Sequence, residues 1–189
     1  MDNVAMLQRA VGETSRLVDR ITPEQLANST MCSEWTIRDV INHMTGGATM
    51  FAISAEQGSV PDELVGQLMG GDNLGDDYKA SWAVASTRAV AAFDDPDALD
   101  KTVKLPFGEM PAGVALNIAV FDVITHAVDL ARASGQAVTD TELLDAALGL
   151  GKQMIGPELR QPGVFDTEQT VASDASAEDR LLAFAGRRI

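Results

Sequence analysis

The sequence holds one cysteine, two histidines and one tyrosine in 189 residues, and aromatic residues make up only 5% of it. With Cys32 alone, no disulfide can form within the chain, which fits a reducing compartment; a cytoplasmic location is the expectation. Few aromatics, in a 46% hydrophobic fraction dominated by Ala and aliphatic residues, disfavour a β-sandwich and suit packed helices. Basic residues are scarce too. Fourteen Lys and Arg stand against 28 Asp and Glu, a formal net charge of −14, and no basic cluster occurs. A phosphate backbone would find no electrostatic footprint here, so nucleic acid is not expected as a partner. The start, "MDNVAMLQRAVGETSRLVDR", lacks a basic stretch followed by an apolar run. No uninterrupted apolar stretch approaches the ~18 residues of a membrane span, so neither a leader nor a membrane partner is expected. A Gly-rich phosphate loop with its Lys and a defensible Ser–His–Asp order are also missing.

What is present reads as helices. The expected fold is all-α in one domain over 1–189, with a core of about 1–135 and a C-terminal helical extension of about 136–189. Val4, Leu7, Val11, Thr14 and Val18 recur at steps of three and four, one face of a helix over 3–20. Thr22 and Pro23 start a short second helix that ends by Ser29. Thr36 and Asp39 have capping-box spacing and open a long helix carrying Ile37, Val40, Ile41, Met44, Ala48 and Phe51. Gly46 and Gly47 weaken its middle by about 1 kcal/mol each relative to Ala, which points to close packing or a site nearby. Residues 58–75 read as a loop around a short helix, and 76–93 as a helix. The long connection that follows carries a strand-like piece at Val103 and Leu105, limited by Pro106. The most apolar helix runs from Pro111 or Ala112 to Ser134 and is closed by Gly135. Helices over 139–155 and 175–187 complete the chain, with a loop and one edge strand between them.

That apolar helix contains "FDVITHAVDLARASG". Asp122, His126 and Asp129, spaced four and three apart, share one side, although acid and imidazole groups are costly to bury unpaired. One reading is a satisfied Asp122–His126 couple inside the core. The other is a metal site: the only other histidine, His43, also lies beside the apolar stripe of a strong helix. Two imidazoles and an Asp aimed inward from two helices suffice for zinc or a transition metal. Spacing alone leaves both open.

"CSEWTIRDVINHM", read as C-x2-W-x3-D-x3-H, and "FDVITHAVDLARASG", read as D-x3-H-x2-D-L-A-x-A-x-G, together resemble the DinB-like, mycothiol-dependent maleylpyruvate isomerase-type metalloenzyme superfamily. The closing "DASAEDRLLAFAGR" is similar to the tail of its actinobacterial branch. The resemblance implies an up-down-down-up four-helix bundle with a long crossover, and a divalent metal held by His43, Asp122 and His126. Zinc is the first choice, with Ni and Fe compatible. It further implies mycothiol or a similar thiol as cofactor, and isomerisation or thiol transfer on a small electrophilic substrate. Many relatives have Glu where this chain has Asp122, and Gly-Trp where it has Ala127-Val128, which bears on the substrate. The alternative is a metal-binding bundle without turnover, a sensor or ligand-binding module. Surplus aliphatic helix surface favours a homodimer.

Other residues have two readings each. Asp129 either orients His126 or pairs with Arg132 or a neighbouring helix. Asp39 caps its helix, with orientation of His43 the weaker alternative. Trp35 packs as a hydrophobic staple against Val40, or faces substrate. Cys32 reads as a small buried hydrophobe rather than a nucleophile. Arg160, Arg187 and Arg188 could hold a carboxylate ligand or lie on the surface.

Overall fold

In the computed structural model, which describes residues 2–32, 34–161 and 165–189, helix α1 spans Asn3–Arg20, and Asp2 caps it by accepting from the Val4 amide. The Pro23–Ala27 segment forms a 3-10 turn behind a Thr22–Gln25 capping box. Helix α2, Ile37–Gln57, starts at the expected box: Thr36 accepts from the Asp39 amide and Asp39 returns the bond. It stops at Gly58, whose φ of 82° is a left-handed conformation that glycine adopts without steric penalty.

Helix α3, Asp62–Gly70, occupies the segment read as a loop around a short helix. It explains Gly46, where a Cβ would come 2.1 Å from the carbonyl oxygen of Leu68. The α3 backbone therefore packs directly on α2, and any side chain at residue 46 would separate them.

Helix α4 runs Tyr78–Asp94 from an Asp77 cap. The connection after it is more ordered than a lone strand-like piece. Strand β1, Thr102–Leu105, pairs antiparallel with β2, Gly108–Pro111, with Val103 opposite Met110. Val103 and Leu105 point into the core, and Lys104 exchanges backbone hydrogen bonds with Gly58 and Val60 beyond α2.

Helix α5, Ala112–Ser134, ends at Gly135 with φ of 72°. By length and composition it could cross a membrane, but 78% of its apolar window is buried inside the bundle. Helices α1 and α2 each pack against both α4 and α5, closing a four-helix ring. Leu116, Ile124 and Leu130 of α5 are fully enclosed, each stabilising by roughly 1.5–3 kcal/mol.

Helix α6, Thr141–Met154, lies on α5, and α7, Ala177–Phe184, lies on α6 and α5. A Cβ at Gly151 would meet the rings of Phe121 and Phe184 at 2.5 and 2.7 Å, so α6 sits close against both. Arg132 fastens the start of α7 to α5 through Glu178 at 3.0 Å and Asp179 at 2.8 Å. The edge strand expected between α6 and α7 is not found among the described residues, where a 3-10 turn at Pro157–Leu159 and irregular backbone stand instead; part of that stretch, 162–164, lies outside them.

Candidate metal centre

Helices α2 and α5 bring His43, Asp122 and His126 together. His43 lies seven residues beyond the Thr36 cap, so the cap that fixes the start of α2 also fixes where His43 emerges. Asp122 and His126 are one turn apart on α5. The Asp122 Oδ1 atom lies 3.2 Å from His43 Nε2 and 3.6 Å from His126 Nε2. The side chains of His43 and Asp122 are 37% and 26% exposed, while that of His126 is 8% exposed. The cluster is therefore enclosed from the α5 side and open beside His43. Gly47 lies next to it, since a Cβ there would sit 3.9 Å from Asp122 Oδ2.

Behind His126, Asp129 does what one of its two sequence readings required. Its Oδ2 lies 2.9 Å from His126 Nδ1. The salt bridge goes to Arg187, whose Nη2 donates to the same Oδ2 at 2.9 Å, and not to Arg132, which is engaged with α7. Asp129 is completely buried, and a buried carboxylate needs such partners. With Nδ1 against Asp129, the His126 ring turns its Nε2 toward Asp122.

Trp35 lies at the site, a position the staple reading did not call for. Its ring lies 4.9 Å from that of His43 and 5.7 Å from that of His126, nearly parallel to the latter. The loop returns it there through the Thr30 amide bonded to the Trp35 carbonyl and a bridge from Ser29 to Thr36. Asp39 stays with its cap, taking the Thr36 amide at 2.9 Å and hydroxyl at 2.6 Å. Arg160 is folded onto the carbonyls of Asp166 and Phe184, both at 2.9 Å. Arg187 does hold a carboxylate, but it is the protein's own; Arg188 is exposed.

The charges follow from these contacts. Burial alone would lower the His43 pKa, but the charge and hydrogen bond of Asp122 more than offset it and hold His43 above its ordinary 6.5. Burial pushes Asp122 up, yet His43, His126 and Arg187 bring it down to about 2. Asp129 is likewise held below the usual carboxylate value against burial, by His126 and Arg187. Burial pushes the Cys32 thiol up to about 11, consistent with an inert half-buried thiol.

A tetrahedral ion with bonds of about 2.0–2.2 Å holds its donors about 3.3–3.6 Å apart. The separations of 3.2 and 3.6 Å from Asp122 Oδ1 are close to that edge, and the donors of His43, Asp122 and His126 all lie within 4.8 Å of one another. Those residues could hold a divalent cation with borderline nitrogen and hard oxygen donors. Cys32, His126 and Asp129 also group within 4.8 Å, but the Arg187 guanidinium already neutralises that carboxylate and opposes a second cation.

A ring of four helices with an imidazole-and-carboxylate cluster shared between α2 and α5 defines an all-α, DinB-like bundle. The chain belongs to the mycothiol maleylpyruvate isomerase N-terminal domain family, whose model matches residues 7–131. The crystal structure of the mycothiol-dependent maleylpyruvate isomerase superposes with a TM-score of 0.62 at 19% identity, covering 79% of this chain and 66% of that one. A mutant of that enzyme superposes with a TM-score of 0.63. At that identity the likeness concerns the fold, and the chain spans about two thirds of the enzyme's length. Over the full length of both chains, an uncharacterized protein of Mycobacterium tuberculosis, matched in strains CDC 1551 / Oshkosh and ATCC 25618 / H37Rv, is 34% identical.

Proposed function

We infer that the protein binds one divalent metal through His43, Asp122 and His126, and works as a thiol-dependent metalloenzyme of the isomerase or thiol-transferase type. The observation that carries this is the convergence of His43 Nε2 and His126 Nε2 on one oxygen of Asp122, at 3.2 and 3.6 Å. Three protein ligands leave a coordination position open, as catalytic sites do. Zinc is the first choice for two imidazoles and a carboxylate, with Ni and Fe compatible.

The bound ion would lower the pKa of a thiol or water in the open position and polarise a substrate oxygen. The chain's own part is positional. Asp129 fixes the ring of His126, Asp122 bridges both imidazoles, and Trp35 covers them. The half-exposed edge of His43 is where a small thiol and an electrophile would approach. Family membership supports a low-molecular-weight thiol, of which mycothiol is the named example, as cofactor.

Metal-loaded protein incubated with low-molecular-weight thiols and small electrophiles, such as unsaturated acids and epoxides, should consume thiol or isomerise the acid, and His126→Ala should abolish this. Metal binding with no turnover across the panel would favour a second reading, a metal-binding module without catalysis.

A further inference from the structure

The family match ends at residue 131, yet the site's innermost carboxylate is held by a residue 58 positions further along the chain than itself. Arg187 follows α7, beyond a turn where Gly186 has φ of 84° and the Arg187 amide bonds back to the Leu182 carbonyl. From there its Nη2 reaches Asp129 Oδ2 at 2.9 Å, and its Nε lies 3.4 Å from Oδ1. The fork thus meets both oxygens of a fully buried carboxylate whose Oδ2 also takes His126 Nδ1. Arg187 is itself 14% exposed and spans the gap between the C-terminal segment and α5.

We propose that Arg187 is a positioning residue for the metal site: by gripping Asp129 it fixes the plane and rotamer of the carboxylate that aims His126, so the C-terminal segment completes a centre built on α2 and α5. This rests on the proposed ligand set. Two χ angles separate the Asp129 backbone from its oxygens, and without the fork only His126 and packing would restrain them among the described residues. Outer-shell partners of this kind commonly change metal affinity by about 10–100-fold. Arg132 is the internal comparison. It also joins α5 to the C-terminal region, but its guanidinium is engaged with Glu178 and Asp179 of α7 rather than with Asp129.

Co(II) is the probe, because its visible absorption bands report ligand geometry as well as occupancy. Arg187→Gln should bind Co(II) about 10–100-fold more weakly than the unaltered chain, with changed band positions and unchanged far-ultraviolet dichroism. Arg187→Lys, which keeps the charge without the fork, should fall between the two. Arg132→Gln should lower thermal stability while leaving affinity and bands as they are. Unaltered affinity and bands in Arg187→Gln would overturn the proposal, as would an equal loss in Arg132→Gln, which would make any loosening of the C-terminal region sufficient. Should Arg187→Gln not fold, an Arg187→Lys variant that is folded and indistinguishable from the unaltered chain overturns it equally. If the unaltered chain binds no Co(II), the ligand set itself fails, a result distinct from all of these.

Discussion

His126 Nδ1 and Asp129 Oδ2 lie 2.9 Å apart, three residues from each other on α5. That contact settles which imidazole nitrogen faces Asp122 and which is spent on the helix's own carboxylate. A polar cluster inside the most apolar helix thereby becomes a directed set, with Asp129 and Arg187 behind His126.

Trp35 sits over both imidazoles, so its emission should report on the site. Binding of an open-shell ion such as Co(II) or Ni(II) should quench it. Trp82, 1% exposed and bonded to Ser15 at 3.0 Å, should not respond. Trp35→Phe should keep metal affinity within a few-fold while losing the fluorescence change. Quenching that persists in Trp35→Phe would place the ion elsewhere.

Adjacent glycines should respond to alanine with opposite signs. Gly46→Ala sets a Cβ 2.1 Å from the Leu68 carbonyl oxygen, so α3 must move, at about 1–3 kcal/mol of stability. Gly47→Ala meets only Asp122 Oδ2, at an ordinary 3.9 Å, and should gain up to about 1 kcal/mol from helix propensity. Urea unfolding of the two variants tests this, and equal effects would contradict the close approach of α3.

Glu13 should impose an acid limit on stability. Its side chain is 11% exposed and joins α1 to the segment before α6 through Thr139, and it also pairs with Arg16 at 2.7 Å. Burial pushes it up, but the Thr139 and Arg16 contacts hold it below its ordinary 4.5. A folded value below the unfolded one gives stability that is fully present above pH 4.5 and fades as pH falls through the folded value. Glu13→Gln should therefore be less stable by about 1–2 kcal/mol near neutral pH, with the gap closing in acid. A gap independent of pH would contradict the role assigned to its charge.

What the sequence made legible was local. Thr36 and Asp39 announce the start of α2 because a capping box needs only four residues, and Gly135 announces the end of α5 because one residue must turn left-handed. His43, Asp122 and His126 could be singled out because polar residues on apolar helices stand out against their surroundings. The rest depended on distant partners. Strand β2, "GEMP", has no β-branched residue and takes its conformation from pairing with β1. Trp35 reaches the imidazoles because a loop closes at Ser29 and Thr36, a return that no periodicity signals. Arg187 stood out only as a cation near the end of the chain, and its partner lies on another helix. Gly46 and Gly47 gave a shared hint that holds for one of them: Gly46 packs against α3, while a Cβ at Gly47 would make only ordinary contact with Asp122.

Calorimetric titration of chelator-stripped protein with Zn(II), on the unaltered chain and on His43→Ala, Asp122→Ala and His126→Ala, tests the ligand set most directly. One equivalent per chain, with tight binding lost in all three variants while each keeps its helical dichroism, is the expected result. An unaltered chain that takes up no Zn(II), or binding undiminished when these side chains are removed, would contradict it.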